Sequence, residues 1–241
     1  MSKILNFIIS LIFPKTCSVC GKTIAYYSNY NICSDCLKLL PKLENVPMCK
    51  RCSFPFYYSE QNCPNCKNNK NIYFDVLKSP YIYSGAIKKL IRSLKYSRKV
   101  FLAKDLSCLL ADFIFKENID SETDFIVAVP MYGLKKFFRG YNQAELLAET
   151  VSKIINKPVL KDVIVRKRNT KPQFKLNKQQ RYKNLENMFC INKKYSNIIK
   201  NKKVLLIDDV ATTGATLNEC AKTLKENKAQ KIVAVTLARA K

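Results

Sequence analysis

Residues 204–216 read VLLIDDVATTGAT and place two carboxylates next to a turn rich in hydroxyl groups. Asp208 and Asp209 can accept hydrogen bonds from neighbouring sugar hydroxyls, as an acidic residue does in dinucleotide sites. The threonine hydroxyls of residues 212–216 can donate to phosphate oxygens, and Gly214 lets the backbone approach an anion closely. A sugar that carries a phosphate would engage both halves, so this stretch predicts a sugar-phosphate site.

The elements around these residues are expected to present them to a ligand. The apolar run 204–207 predicts a strand buried on both faces of a parallel sheet, and the acidic pair is expected to mark its end. Helical spacing follows, with apolar residues at Leu217, Cys220, Ala221 and Leu224. The turn therefore opens a helix whose N-terminus favours phosphate, at the strand end where ligands bind in such sheets. An ordinary buried strand with a polar turn would explain the apolar run but not the acids and threonines.

This stretch resembles the ribose-phosphate signature of type I phosphoribosyltransferases, whose pattern is a strand, Asp-Asp and then Thr-Thr-Gly-x-Thr. The resemblance implies that the acidic pair holds the ribose hydroxyls of phosphoribosyl pyrophosphate (PRPP) and that the turn wraps its 5′-phosphate. The PRPP-binding residues implied here are Asp208, Asp209, Val210, Ala211, Thr212, Thr213, Gly214, Ala215 and Thr216.

Eight of the eleven cysteines lie in four C-x-x-C pairs within the first third of the chain. Two such pairs about a dozen residues apart are typical of a Cys₄ zinc ribbon, whose thiolates leave no open position for catalysis. We therefore expect two structural Zn²⁺ sites from these eight cysteines. Pairing of neighbours is the simplest assignment and gives one site at Cys17, Cys20, Cys33 and Cys36 and another at Cys49, Cys52, Cys63 and Cys66. A crossed pairing, or redox chemistry at the C-x-x-C pairs, is the open alternative.

The composition is strongly basic, with a formal net charge of +25 from 43 basic and 18 acidic residues. Such a balance favours nucleic acid, a phosphorylated substrate or an anionic surface as partner, although compositional drift explains it equally well. The chain contains no histidine, which excludes Ser-His-Asp and Cys-His catalysis and zinc sites that need imidazole. The apolar run 4–13 is too short to span a bilayer and lacks a signal-peptide cleavage pattern. We expect a short packing helix there, no membrane span and a cytoplasmic protein.

Further elements follow along the chain. Two basic helical stretches are expected between residues 84 and 115, either as a solvated face or as a surface for phosphates or single-stranded nucleic acid with Tyr96 stacking on a base. A buried strand is expected at 124–129, and Arg139 near the start of the next helix. The polar, basic run 165–184 predicts a loop, and KIVAVTLARA at the end of the chain predicts another parallel strand.

Together these pieces resemble the ComF/GntX family of competence-related proteins, in which a cysteine-knuckle head precedes a phosphoribosyltransferase domain. The matching segments are C-x-x-C-G at 17–21, IKKLIRSLKY at 87–96, VP at 129–130, RGYNQAELLA at 139–148 and R-x-R-x-T-x-x-Q at 166–173. The implied fold is an α/β, type I phosphoribosyltransferase-like parallel sheet with helices on both faces, plus a small N-terminal zinc-ribbon domain. We place the double zinc ribbon at residues 1–78 and the phosphoribosyltransferase-like domain at 79–241.

The family resemblance also implies site residues outside the signature. The loop at Pro130 and Met131 is expected to receive pyrophosphate, which Arg139 helps to hold and Mg²⁺ neutralises. In catalysis Arg139 would act beside the acidic pair. A flexible loop is expected to close over PRPP and exclude water. Its candidate residues are Arg166, Arg168, Thr170, Gln173 and Arg181.

Three classes of function follow from this resemblance. The first is a PRPP-binding phosphoribosyltransferase that transfers a pentosyl group and serves DNA uptake, natural transformation or nucleotide metabolism. The second is a single-stranded-DNA-binding competence factor, with a competence helicase or other DNA-uptake proteins as partners. The third is a PRPP sensor without turnover. No motif in the sequence identifies an acceptor base.

Overall fold

The computed structural model describes residues 14–25, 27–56, 63–67, 71–166 and 188–241, apart from the side chain of Lys135. Its helices are α1 (Ser34–Lys38), α2 (Pro64–Lys67), α3 (Gly85–Tyr96), α4 (Leu102–Lys116), α5 (Gly133–Arg139), α6 (Gln143–Ile155), α7 (Ser196–Ile199) and α8 (Ala215–Glu226). Its strands are β1 (Val76–Lys78), β2 (Tyr81–Ile82), β3 (Phe125–Ala128), β4 (Val159–Leu160), β5 (Ile164–Arg166), β6 (Phe189–Ile191), β7 (Lys203–Ala211) and β8 (Lys231–Arg239). Short 3₁₀ helices lie at Leu43–Asn45 and Lys193–Tyr195.

Six of these strands form one parallel sheet in the order β1, β8, β7, β3, β4, with β2 also paired to β8. β1 and β2 follow one another along the same side of β8, because they pair with successive parts of that strand. The nine-residue strands β7 and β8 pair with each other through most of their length and form the centre of the sheet.

Alternate residues of β7 point to opposite faces of the sheet, as strand geometry requires. Leu205 and Ile207 pack in a core with α3, α4 and α6, whereas Val204 and Leu206 pack in a second core with α8. All four side chains are buried. The run 204–207 is continuously apolar because helices cover both faces, and the expected sheet with helices on both faces is confirmed.

The start of the basic loop differs from the sequence prediction. Val165 and Arg166 belong to β5, which pairs antiparallel with β6 in a separate two-stranded sheet. The pairing buries Ile164 and Phe189 in the core on the α8 face, so the apolar residues before the loop continue a strand. Most of the predicted loop, and the apolar run 4–13, lie outside the described residues. Within the described part of the chain, no helix is both long and apolar enough to cross a membrane.

The cysteine-rich region packs directly on the sheet. Cys17 and Cys36 belong to the core on the α3–α4 face, and Cys52 and Cys63 belong to the core on the α8 face. Strand β1 lies before the predicted boundary at residue 78 and yet pairs with β8. The boundary stays a prediction, and the strand next to it belongs to the large sheet.

Candidate functional site

The acidic pair lies inside a strand, where the sequence predicted the strand's end. β7 continues four residues past Ile207 to Ala211, because β8 is equally long and the ladder carries on through Asp208, Val210 and Ala211. Asp208 and Asp209 therefore point to opposite sides of the strand. The backbone then turns through Gly214, whose φ of +77° lies in the left-handed region, and α8 begins at Ala215.

Asp209 forms an ion pair with Lys95 at the end of α3. Lys95 Nζ donates to Asp209 Oδ1 at 2.7 Å, and the two side chains are 19% and 9% exposed. Burial acts to lower the pKa of Lys95, but the attraction of Asp209 outweighs it and the pKa is raised. Lys95 therefore stays charged and forms its ion pair with Asp209 in the lining of the cleft.

Asp208 is in a different electrostatic setting. Burial, reinforced by the charge of Asp209, raises the pKa of the Asp208 carboxyl from 3.8 to about 7, although Lys95 acts in the opposite direction. Its Oδ1 accepts a hydrogen bond from the backbone N–H of Asp209 at 2.8 Å. Asp208 therefore titrates near neutral pH, whereas the side chain of Asp209 is engaged by Lys95.

The loop after β3 approaches the same cleft. Asn142 connects this loop to α6, because its side chain donates to the carbonyl of Val129 at 3.0 Å and accepts from the N–H of Ala144 at 3.1 Å. Arg139 was expected at the start of this helix. It ends the preceding helix α5 instead, since Gly140 adopts a φ of +84° and α6 begins only at Gln143.

Arg139 is held from two sides. Its Nη1 donates to Oε1 of Gln143 at 2.6 Å, and its guanidinium lies over the ring of Tyr96 at 5.2 Å from the centroid. Arg166 also lines the cleft, and its guanidinium lies over the ring of Tyr132 at the same distance. Burial lowers the pKa of Arg166. The cleft therefore has two cations placed by aromatic rings.

These segments enclose a cleft of about 540 Å³. It is lined by Lys95, Tyr96, Leu134, Phe138, Arg139, Asn142, Gln143 and Arg166, by residues 129–132 and by residues 208–217. Every implied residue of the signature lines the cleft, as do Pro130, Met131 and Arg139. Of the candidate loop residues, Arg166 lies in the wall, and Arg168, Thr170, Gln173 and Arg181 lie outside the described residues.

Sequence reasoning missed the role of Lys95, which it grouped with the basic residues of a helix surface. A signal was present, because Lys95 follows Ile91 by four residues and so borders the buried stripe of α3. It also missed Leu134 and Phe138 of α5, a seven-residue helix that periodicity did not predict. Both side chains are largely exposed although they line the cleft, so burial patterns carry no signal for them.

Eight of the eleven cysteines gather in two groups of four, and each group combines two neighbouring C-x-x-C pairs. Cys17, Cys20, Cys33 and Cys36 form one group and Cys49, Cys52, Cys63 and Cys66 the other, with the ligand atoms of each group within 4.8 Å of one another. The Sγ–Sγ distances are 3.8 Å for Cys20–Cys33 and 3.7 Å for Cys52–Cys63. Zn–S bonds of about 2.3 Å in a tetrahedron place the sulfurs roughly 3.8 Å apart, so both groups fit Zn²⁺. Both sets would hold a structural metal.

Comparisons with known proteins agree with these observations. The family described as "Phosphoribosyl transferase domain" matches residues 102–241, and the family described as "Double zinc ribbon domain" matches residues 8–67. Competence protein F of Haemophilus influenzae is 30% identical over 212 residues, which cover 87% of this chain and 90% of that protein.

Two further relatives extend the similarity over nearly the whole chain. The DNA utilization protein YhgH of Escherichia coli K12 is 28% identical, over 90% of this chain and 93% of its own length. Competence protein ComFC of Streptococcus pneumoniae is 26% identical, over 92% of this chain and 99% of its own length. With a double zinc ribbon ahead of a phosphoribosyl transferase domain, this chain belongs to the ComF family of competence-related proteins.

Proposed function

We propose that this chain binds PRPP together with Mg²⁺ in the cleft at the end of β7, in the service of DNA uptake. One observation carries the proposal: the acidic pair, the turn at 212–216 and the loop at 129–132 line a single cleft with Arg139. Asp208 and Asp209 would accept hydrogen bonds from the ribose hydroxyls. The turn, at the N-terminus of α8, would hold the 5′-phosphate.

The pyrophosphate of PRPP would lie at the loop after β3. Pro130 and Met131 would approach it through the backbone, and Arg139 would pair with its negative charge. Mg²⁺ bound with PRPP would supply positive charge that offsets the charge of the pyrophosphate as leaving group. Transfer to an acceptor needs no nucleophile from the protein, because the leaving group is already activated. The chain would then be either a pentosyl transferase or a PRPP sensor, in the cytoplasm in both cases.

Calorimetry with PRPP tests the proposal. We expect wild type to bind PRPP only in the presence of Mg²⁺, and the double variant Asp208→Asn, Asp209→Asn to bind at least tenfold more weakly, a loss of about 1.4 kcal/mol or more. The matched control is Asp112→Asn with Glu226→Gln, which also removes two carboxylates but from exposed positions outside the cleft. Absence of PRPP binding by wild type would overturn the proposal.

Turnover is a separate measurement on the same protein. Pyrophosphate release from PRPP, assayed with a panel of purine and pyrimidine bases, distinguishes a transferase from a sensor. Release that needs one base identifies the acceptor, whereas tight binding without release with any base supports the sensor.

A second function, binding of single-stranded DNA, is favoured by exposed aromatic side chains beside the cleft. Tyr96, Phe137 and Phe138 are 70%, 81% and 74% exposed. A shallow basic groove on α3, lined in part by Lys88 and Arg92, shares Tyr96 with the cleft. Stacking rings next to cations are the means by which proteins bind single strands without sequence preference.

Fluorescence anisotropy with a labelled oligothymidine tests this function. We expect affinity to fall steeply with salt, and Tyr96→Ala with Phe138→Ala to weaken binding by at least tenfold, since each stacked base contributes about 1–3 kcal/mol. Tyr27→Ala is the control, because Tyr27 is 89% exposed and lines neither the cleft nor the groove. Equal losses in both variants would argue against a stacking surface at the cleft.

A further inference from the structure

The second cysteine group lies directly behind the turn that would hold the 5′-phosphate. Asn65, between Cys63 and Cys66, is only 4% exposed. Its Nδ2 donates to the backbone carbonyl of Thr213 at 3.3 Å and to Sγ of Cys52 at 3.6 Å. A single buried amide thus joins a zinc-ligating sulfur to the turn.

Arg239, near the end of β8, makes a second connection. It is fully buried, and its Nε donates to the carbonyl of Cys52 at 3.0 Å. Its Nη1 donates to the carbonyl of Ala211 at 2.9 Å and also to that of Thr212. The guanidinium lies over the ring of Phe54. The cation therefore fixes the last residue of β7 and the first of the turn relative to the same cysteine.

Residues 73–77, which follow the second cysteine group in the chain, lie next to the turn and α8. A Cβ added at Gly214 would lie 3.7 Å from Leu77 Cδ2 and 4.0 Å from Phe74 Cε1. The side chain of Asn218 on α8 accepts from the N–H of Tyr73 at 2.7 Å. Helix α8 and the turn are therefore both seated on this segment.

The first cysteine group is connected elsewhere. The backbone N–H and the Nδ2 of Asn31 both donate to Oδ2 of Asp105 on α4, at 2.8 and 3.0 Å. Cys17 and Cys36 pack in the core of the α3–α4 face. None of the described residues of this group lines the cleft. The two groups are chemically alike but only one adjoins the turn.

We propose that Asn65 and Arg239 are positioning residues through which the zinc of the second cysteine group, and not that of the first, sets the geometry of the phosphate turn. The inference rests on the proposed function, since it concerns the same turn. An N–H group that donates to a zinc-bound thiolate orients that thiolate and is in turn oriented by it. The Asn65 amide is therefore in position to bind the Thr213 carbonyl only while zinc fixes the sulfur of Cys52. Because coupling between two sites is reciprocal, a ligand in the turn must also stabilise the second zinc.

The reciprocal effect is measured on the zinc-loaded wild-type chain. A chelator removes zinc in the presence of N-ethylmaleimide, and peptide mass spectrometry follows alkylation of the two cysteine groups separately. We expect saturating ribose 5-phosphate to slow alkylation at Cys49–Cys66 several-fold and to leave Cys17–Cys36 unchanged. Equal slowing of alkylation in both groups would indicate general stabilisation of the fold. Unchanged alkylation at Cys49–Cys66 with the ligand bound would show that the turn and the second zinc are not coupled. Either result overturns the inference.

A matched pair of variants tests the positioning role. Asn65→Ala and Asn31→Ala each remove one side-chain amide next to a cysteine group. We expect Asn65→Ala to weaken ribose 5-phosphate binding several-fold at unchanged zinc content, and Asn31→Ala to leave the affinity unchanged even if Tm falls. Similar losses of affinity in both variants contradict a specific role for Asn65.

The two proposals fail in distinguishable ways. If wild type binds neither PRPP nor ribose 5-phosphate, the proposed function fails and the coupling has no ligand. If wild type binds both ligands and Asn65→Ala binds ribose 5-phosphate with wild-type affinity, the PRPP site stands but the positioning role of Asn65 is refuted.

Discussion

Two adjacent carboxyl groups in this cleft have opposite electrostatic settings. Asp209 accepts a hydrogen bond from Lys95, with 2.7 Å between Nζ and Oδ1. Asp208 points to the other side of the strand, and burial and the charge of Asp209 both raise its pKa. The difference arises because consecutive strand residues face opposite sides. Asp208 therefore resists ionisation, because burial removes water from its carboxylate and Asp209 repels its charge.

This asymmetry predicts how stability depends on pH. The pKa of Asp208 is raised from 3.8 to about 7 in the folded state. The stability that its protonated carboxyl contributes is therefore fully present below the ordinary pKa and is lost as pH rises through about 7. Above about pH 7 we expect Asp208→Asn to unfold at a higher temperature than wild type, by roughly 2–4 °C for each kcal/mol gained in the free energy of unfolding. The difference in Tm should vanish at about pH 4. Calorimetric Tm values across this range check it. Asp112→Asn, at an exposed position, is the control; a Tm difference that is constant with pH would contradict the assignment.

At the scale of elements, the turn between β7 and α8 depends on one backbone conformation. Gly214 has a φ of +77°, and a methyl group added there would meet its neighbours only at ordinary contact distance. The obstacle to a side chain is thus the dihedral angle rather than space. Helix α8 starts immediately after this residue, so its direction relative to β7 depends on the left-handed conformation.

We expect Gly214→Ala to cost about 1–2 kcal/mol of stability, which is the usual penalty for an L-residue in this region. Binding of ribose 5-phosphate should weaken by more than the loss of stability implies, because the turn itself is displaced. Urea unfolding and calorimetry measure the two effects. Gly133→Ala is the control, since Gly133 has an ordinary φ and open space around its Cα. Unaltered affinity in Gly214→Ala would show that the turn tolerates another conformation.

At the scale of the whole molecule, the cysteine groups and the sheet share their cores. Each face of the sheet carries one group, with Cys36 on the α3–α4 side and Cys52 on the α8 side. Residues 68–101 lie between the two family matches, yet they contain β1, β2 and the helix that carries Lys95. Zinc bound by these cysteines would therefore be connected to both cores of the sheet.

Removal of zinc is expected to destabilise the entire chain. Differential scanning calorimetry of the zinc-loaded protein should show one transition, and chelation should move that transition to lower temperature as a whole, because ligand binding to the folded state raises Tm. Metal analysis should find two zinc ions per chain, one for each group of four cysteines. Two transitions, with the upper one unmoved by the chelator, would show instead that the predicted domains at 1–78 and 79–241 unfold independently.

The sequence by itself determined the features that arise from local order. The run 204–216 specified a strand, an acidic pair, a turn and a helix, because periodicity and turn chemistry act over a few residues. The C-x-x-C spacing specified two metal sites, since a knuckle is also a local structure. Even here one boundary was wrong, because the length of β7 is set by its partner β8, from a distant part of the chain.

Only the tertiary structure decided which residues meet across long separations. Lys95 pairs with Asp209 over 114 positions, and Asn65 reaches Thr213 over 148. No local pattern encodes such contacts, because they depend on how α3 and the second cysteine group pack on opposite faces of one sheet. The neighbour pairing of the cysteines, which their spacing left open, likewise depends on which sulfur atoms the folded chain brings together.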